Sequence, residues 1–142
     1  MGLGRICLIQ PGFFRSLLDV GESQDYPPPW IDESARIDLT KPRVQGEEHF
    51  RHELRAIVLR VAGIYRPGRN PQDWIRQGRI GPSCKYVDLI HVEDLAAICL
   101  AVLDRGHPSE AYNVSDGQPH NWKEICVTAQ QRWGEKRLTM DH

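Results

Sequence analysis

The sequence predicts an α/β fold, a mainly parallel sheet with flanking helices, and three observations carry that expectation. Ala56-Ile57-Val58-Leu59-Arg60-Val61 is a nearly continuous apolar run, the pattern of a strand buried on both faces of a parallel sheet. Residues 93–104 place Leu95, Ile98, Cys99 and Val102 at helical spacing, and Gly106 follows as a stop. Strand-length and helix-length segments then alternate along the rest of the chain, which is the order that builds parallel sheets.

The 142 residues suffice for one domain with a modest core, and an apolar share of 40% beside a charged share of 26% is that of a globular protein. A formal net charge of −1 gives no reason to expect nucleic acid or an anionic membrane as partner. No apolar run approaches the roughly 20 residues of a membrane span. Arg5, Pro11 and Arg15 interrupt the first apolar stretch, so no signal peptide is expected. Cys7, Cys84, Cys99 and Cys126 are widely spaced and form no C-x-x-C pair. They read as small buried thiols in a reducing cytoplasm, with a disulfide or metal role as the alternative.

Taken in order, residues 6–9 suit a short strand broken by Pro11-Gly12, and residues 13–20 fit no single element. Residues 21–36 read as an irregular loop, because Tyr26-Pro27-Pro28-Pro29-Trp30 loses three backbone donors. Helical character runs from Arg43 to Leu54, with Val44, Phe50 and Leu54 inward and Glu47, Glu48, Arg51 and Glu53 toward water. After the 56–61 strand, residues 62–70 read as a loop punctuated by Gly63, Pro67 and Gly68. Asn70, Pro71 and Asp73 then open a short helix as cap, first residue and dipole-matching acid, and Gly78 closes it. A second strand is expected within 85–91 and a third over 110–114, followed by a turn at 115–119. Asn121 and Glu124 form a cap-plus-three pair that starts a last helix over 122–133.

Three segments together resemble a known family. Leu59-Arg60-Val61-Ala62-Gly63-Ile64-Tyr65-Arg66-Pro67-Gly68-Arg69 is similar to its strand-to-loop signature L-R-x-x-x-[VI]-Y-G-P-G. Ile90-His91-Val92-Glu93-Asp94-Leu95-Ala96 is similar to I-H-V-x-D-[LI]-A, and Ala111-Tyr112-Asn113-Val114-Ser115-Asp116-Gly117 to x-Y-N-[VI]-x-[DG]-G. In this order and spacing they resemble the C-terminal half of extended or atypical short-chain dehydrogenase/reductase proteins, the NAD-dependent epimerase/dehydratase group, over about residues 20–134. The resemblance implies a partial Rossmann-like sheet whose N-terminal half is absent. It implies an uncertain segment over 1–20, the family portion over 21–134 and a polar tail over 135–142. It also implies that NAD or NADP would meet Val61, Ala62, Gly63 and Ile64, if a dinucleotide site were completed. Tyr65, Arg69 and His91 would then line the substrate cleft. Asp94 reads as a first-turn acid of its helix.

Several family features are missing. The G-x-x-G-x-x-G loop that brings a pyrophosphate to a helix N-terminus has no counterpart; Gly2-Leu3-Gly4 follows no apolar strand. Where the family carries Y-x-x-x-K, this chain has Leu39 and Arg43. Leu39 cannot transfer a proton, and Arg43, always charged, could hold a phosphate or ribose but has no phenol to activate. Arg66 stands where the family has the glycine of Y-G-P, and Gly63 where sugar-nucleotide epimerases have asparagine. A nucleotide-sugar substrate is correspondingly disfavoured. Residues 1–19 could lie outside the family sequence altogether, as after a misplaced start or a frame shift.

His49 and His52, three apart on a helix, lack the H-E-x-x-H order and read as a solvated face, so no metal is expected. No G-x-S-x-G occurs. Three functional readings remain. The first is the substrate-side half of an NAD(P)-dependent oxidoreductase or epimerase/dehydratase, unable to bind dinucleotide or turn over alone and without an assigned catalytic residue. The second is a non-catalytic interaction or small-ligand module. It would self-associate or bind a partner chain, because a lost half-sheet should leave the 56–61 strand with an unpaired side. The third is a truncated gene product.

Overall fold

The computed structural model describes residues 5–11, 31–79, 81, 83 and 86–133. The expectations for residues 13–20, for the tail beyond 133, for Tyr26–Trp30 and for Cys84 lie outside the described residues. The chain divides into two compact units, one drawn from residues 1–62 and 93–114 and the other from 63–92 and 115–142.

The first unit is a three-stranded parallel sheet in the order β1-β2-β6, with β1 over Cys7–Pro11, β2 over Ile57–Val61 and β6 over Ala111–Val114. Every residue of β2 is buried, as its apolar run requires of a strand covered on both faces. Helix α1, Pro42–Glu53, starts with proline at its first position, where the missing N–H costs nothing. It sends Val44 into the core beside Ala56, Ile57, Val58, Leu59 and Val61. Most of helix α3, Val92–Arg105, also belongs to this unit. Leu95 is buried and Ile98, Cys99 and Val102 are its half-buried stripe, while Leu100 stands out at 72% exposure. Gly106 ends α3 for a steric reason. A Cβ there would lie 2.6 Å from the Val102 carbonyl oxygen and 3.1 Å from Ile57 Cδ1, so only glycine lets the helix end settle on β2.

Three expectations fail in this unit, each for its own reason. Glu47 was expected in water, yet it is 1% exposed. Arg60 lies in the middle of a strand with no wet face, so its guanidinium must find a carboxylate inside the protein. Glu47 supplies it through two bonds: Arg60 Nε donates to Oε1 at 2.9 Å and Nη2 to Oε2 at 3.0 Å. Leu54, expected inward, is 46% exposed, because α1 ends at Glu53 and the chain turns away through Arg55 in the left-handed region at φ 54°. The 56–61 strand is also not left with an unpaired side. It is the middle strand, because residues 7–11 pair with it along its whole length, Cys7 opposite Ile57 through Pro11 opposite Val61. Among the described residues, the edge strands of this sheet are β1 and β6.

The second unit holds two small ladders. β3, Gly63–Tyr65, runs parallel to β5, Leu89–His91; β4, Tyr86–Val87, runs antiparallel to β7, His120–Asn121. Thus residues 63–65 are strand, not loop, since their amides find acceptors on the 88–91 segment. The single strand expected within 85–91 is two, interrupted at Asp88, whose carbonyl oxygen accepts from Gly63 N–H at 3.0 Å. Helix α2, Pro71–Arg76, is capped as its sequence indicates: Asn70 Oδ1 accepts from Asp73 N–H at 3.0 Å, and Gly78 follows at φ 70°. Helix α4, Trp122–Trp133, opens with a reciprocal capping box. Asn121 Oδ1 accepts from Glu124 N–H at 2.8 Å, and Glu124 Oε2 accepts from Asn121 N–H at 3.4 Å. Trp74 of α2 meets Trp122 of α4 edge to face with ring centroids 6.4 Å apart.

Candidate functional site

Parallel strands end with their carbonyl edges on one side, where loops carry ligand-binding groups in open α/β folds. In the second unit that end of the β3–β5 pair is made by Tyr65 and His91. They are register partners, and their rings meet edge to face at 5.1 Å. Both are half-buried. The structure therefore brings together two of the three residues that the resemblance assigns to a substrate cleft.

Arg69, the third, lies one tight turn further on. Arg66 and Arg69 exchange two backbone bonds, each 2.9 Å, across Pro67-Gly68. Proline followed by a glycine at φ 79° is the arrangement a type II turn requires. Arg66, the departure from the family's glycine, thus starts a hairpin that places its side chain opposite that of Arg69, both exposed.

The stretch from Val61 to Ile64 behaves differently from a free ligand-facing loop. Val61 is buried. Ala62 N–H donates to the Val114 carbonyl oxygen at 2.9 Å and Gly63 N–H to that of Asp88 at 3.0 Å, while Ile64 is the ladder partner of Ile90. The missing side chain of Gly63 is accounted for by protein packing, since a Cβ would approach Leu89 Cδ2 at 3.0 Å and the Asp88 carbonyl oxygen at 3.4 Å. The Ala62 and Gly63 amides are therefore already spent on the protein.

In the first unit, Arg43 sits at the carboxyl end of β1. Its Nη2 donates to the Pro11 carbonyl oxygen at 2.7 Å and to Gln10 Oε1 at 3.2 Å, and Gln10 Nε2 returns a bond to the Arg43 carbonyl oxygen at 3.1 Å. Leu39 is 61% exposed and offers no proton-transfer group. Asp94 lies exposed in the first turn of α3, as its sequence position suggests. His52 Nε2 contacts Glu48 Oε2 at 2.8 Å, and His49 points outward. Among the described residues no group of three His, Cys, Asp or Glu side chains could hold a metal ion. Cys126 is buried and Cys7 and Cys99 half-buried. Burial pushes the thiols of Cys7 and Cys126 above their ordinary range, and the neighbouring Cys99 adds to the effect on Cys7. Among the described residues no helix is long and apolar enough to cross a membrane.

One electrostatic feature of the second unit carried no sequence signal. Asp88 and Asp116 lie 28 positions apart in sequence, yet the Asp116 N–H donates to the Leu89 carbonyl oxygen at 2.9 Å, which sets Asp116 beside the residue that follows Asp88. Partial burial first, and then the Asp116 charge, push the Asp88 carboxyl above its ordinary range.

No protein-family model matches the sequence, and no curated protein matches it. Solved structures do. The dTDP-glucose 4,6-dehydratase of Bacillus anthracis str. Ames, solved in complex with NAD, matches with a TM-score of 0.67 at 15% identity, over 94% of this chain and 47% of that one. A functionally unknown conserved protein from Silicibacter pomeroyi matches with a TM-score of 0.69 at 28% identity, over 90% and 46%. A double mutant of the dTDP-glucose 4,6-dehydratase of Streptomyces venezuelae, solved with NAD, matches at 0.66 and 14%, over 93% and 45%. The fold is therefore the α/β, Rossmann-like fold of NAD-dependent epimerase/dehydratase proteins. The chain spans about half the length of the solved structures it matches.

The Asp88 geometry yields a pH test. Its folded-state pKa is raised, so between the ordinary carboxylate range and that raised value the folded protein binds more protons than the unfolded chain. Stability falls as pH rises through that window. Asp88→Asn is expected to stabilise the chain at pH 7 by a few tenths of a kcal/mol, the carboxylate being partly solvent-screened. The gain should vanish at pH values below the ordinary carboxylate range. Urea titrations at pH 7 and pH 3 check this, and equal stability of the two proteins at pH 7 would refute it.

Proposed function

We propose that this chain is the substrate-side half of an NAD(P)-dependent epimerase/dehydratase or oxidoreductase site, and that by itself it neither holds a dinucleotide nor turns substrate over. The observation that carries the reading is the fold shared with about half the length of dehydratases solved with NAD. In a completed site, Val61, Ala62, Gly63 and Ile64 are the stretch nearest the nicotinamide, and Tyr65, Arg69 and His91 face the substrate.

The residues present fit the cofactor poorly. The amides of Ala62 and Gly63 are bonded to protein carbonyls, and the space beside Gly63 is taken by Leu89. The glycine loop that would seat a pyrophosphate has no equivalent in the sequence, and Leu39 stands where a proton-transferring tyrosine is needed. Bound dinucleotide would supply hydride transfer, and Tyr65, Arg69 and His91 would supply polar contacts to the substrate. The burial that pushes the Cys7 and Cys126 thiols up disfavours their thiolates and supports a reducing, cytoplasmic setting.

A second reading, a self-associating interaction module, is favoured by one feature. Among the described residues β1 pairs on one side only; Ile9 within it is 43% exposed and Ile6, just before it, 41%. Unpaired strand edges with apolar neighbours promote association.

Calorimetric titration of the 142-residue chain with NADH and with NADPH separates the readings from their opposites. The expected result is no saturable heat up to millimolar cofactor; micromolar affinity for either would overturn the first proposal. Light scattering is expected to give a dimer, and a stable monomer at high concentration would overturn the second.

A further inference from the structure

The segment from Ala62 to Arg79 has a charge balance unlike the rest of the chain. It carries Arg66, Arg69, Arg76 and Arg79 against a single acid, Asp73, in a protein whose net charge is −1. Asp73 sits in the first turn of α2, where its charge meets the positive helix end. Arg66 and Arg69 thus have no acid beside them in sequence.

Arg66 and Arg69 are the sharpest part of this feature. Their mutual backbone bonds make them a hydrogen-bonded cross-strand pair, so both side chains leave the hairpin on the same face. Like charges directly opposite on a strand pair repel, and folding gains nothing from putting them there. Both are exposed, and neither has a carboxylate partner among the described residues. The backbone beneath them is rigid for its size. Proline fixes the first corner, Gly68 takes the second at φ 79°, and the Asn70 side-chain amide donates to the Arg66 carbonyl oxygen at 3.3 Å. Nothing lies within 4 Å of the position a Cβ would take on Gly68, so the face of the turn is open.

Two exposed arginines whose side chains leave one face of a preorganised turn can together receive one oxyanion. Each presents a planar fork of donors, and a tetrahedral phosphate has enough oxygens to accept from both. We propose that the Arg66-Pro67-Gly68-Arg69 hairpin is a phosphate-binding clamp, with a phosphate group, free or carried on a small molecule, as its ligand. The clamp lies wholly within the second unit and stands independently of whether the chain completes a dinucleotide site.

The test is an NMR titration of the whole 142-residue chain, following backbone amides and arginine Nε–H signals at constant ionic strength. Inorganic phosphate, glycerol 3-phosphate and acetate are the probes. The expected result is saturable shifts centred on residues 66–69 with both phosphates, and at least tenfold weaker binding of acetate. A tighter Kd for glycerol 3-phosphate than for inorganic phosphate identifies a phosphorylated small molecule as the ligand source, and equal values identify free phosphate. Arg66→Ala with Arg69→Ala should abolish the shifts, and Arg66→Lys with Arg69→Lys should weaken binding several-fold, since charge remains and the forks are lost. Both variants alter exposed side chains, and an unchanged far-ultraviolet circular dichroism spectrum verifies that they fold. Non-saturable shifts, shifts centred on Lys41 and Arg43 instead, or an unaltered titration in the double alanine variant would each overturn the proposal.

Discussion

The buried ion pair between Arg60 and Glu47 is the constraint around which the first unit is arranged. A guanidinium on a strand with no wet face is tolerable only if a carboxylate reaches it with good geometry, because the desolvation of an unpaired charge costs several kcal/mol. Glu47 meets that requirement with two bonds and negligible exposure of either side chain. The consequence spreads outward. The helical turn bearing Glu47 must face β2, which fixes the rotation of α1 and carries Val44 into the core. The same rotation leaves Gln45, Gly46 and His49 in solvent. Arg43, one turn earlier, comes to the end of β1, where it ties Pro11 and Gln10 to the helix.

Much of the architecture was legible from residue patterns. The unbroken apolar run of β2, the stripe of α3 and the paired caps of α2 and α4 are local signals, and local chemistry decides them. The failures share a different origin. Glu47 reads as a surface residue because a helix pattern weighs only its own periodicity, whereas its burial depends on an arginine 13 positions away. Residues 63–65 read as loop because glycine beside proline-rich sequence signals a break. Their strand character comes from a ladder with 89–91, and no short window contains both. Asp88 divides what looks like one strand because its carbonyl serves one neighbour while the residues before it serve another.

The candidate site divides along the same line. Tyr65 and His91 were legible as a pair only through motif resemblance, and the parallel register of β3 and β5 gives their meeting a physical cause. Gly63 is the counterexample. Its conspicuous place in the motif suggests ligand approach, but its contacts with Leu89 and Asp88 explain the missing side chain by packing alone. Arg66 looked like a loss relative to the family's glycine. In the hairpin it acquires a partner of the same charge, and a glycine there would leave Arg69 a lone exposed cation. A half-length fold match at 14–28% identity establishes this architecture and leaves the chemistry to such particular residues.

A double-mutant cycle on Glu47 and Arg60 bears most directly on this account. Glu47→Leu, Arg60→Met and the double variant would be compared with the parent by urea denaturation. If the pair organises the unit, each single change costs about 3–5 kcal/mol, because each strands a buried polar partner, and the double change costs far less than their sum. Additive losses, within about 0.5 kcal/mol, would show the two side chains to be energetically independent and would contradict the account.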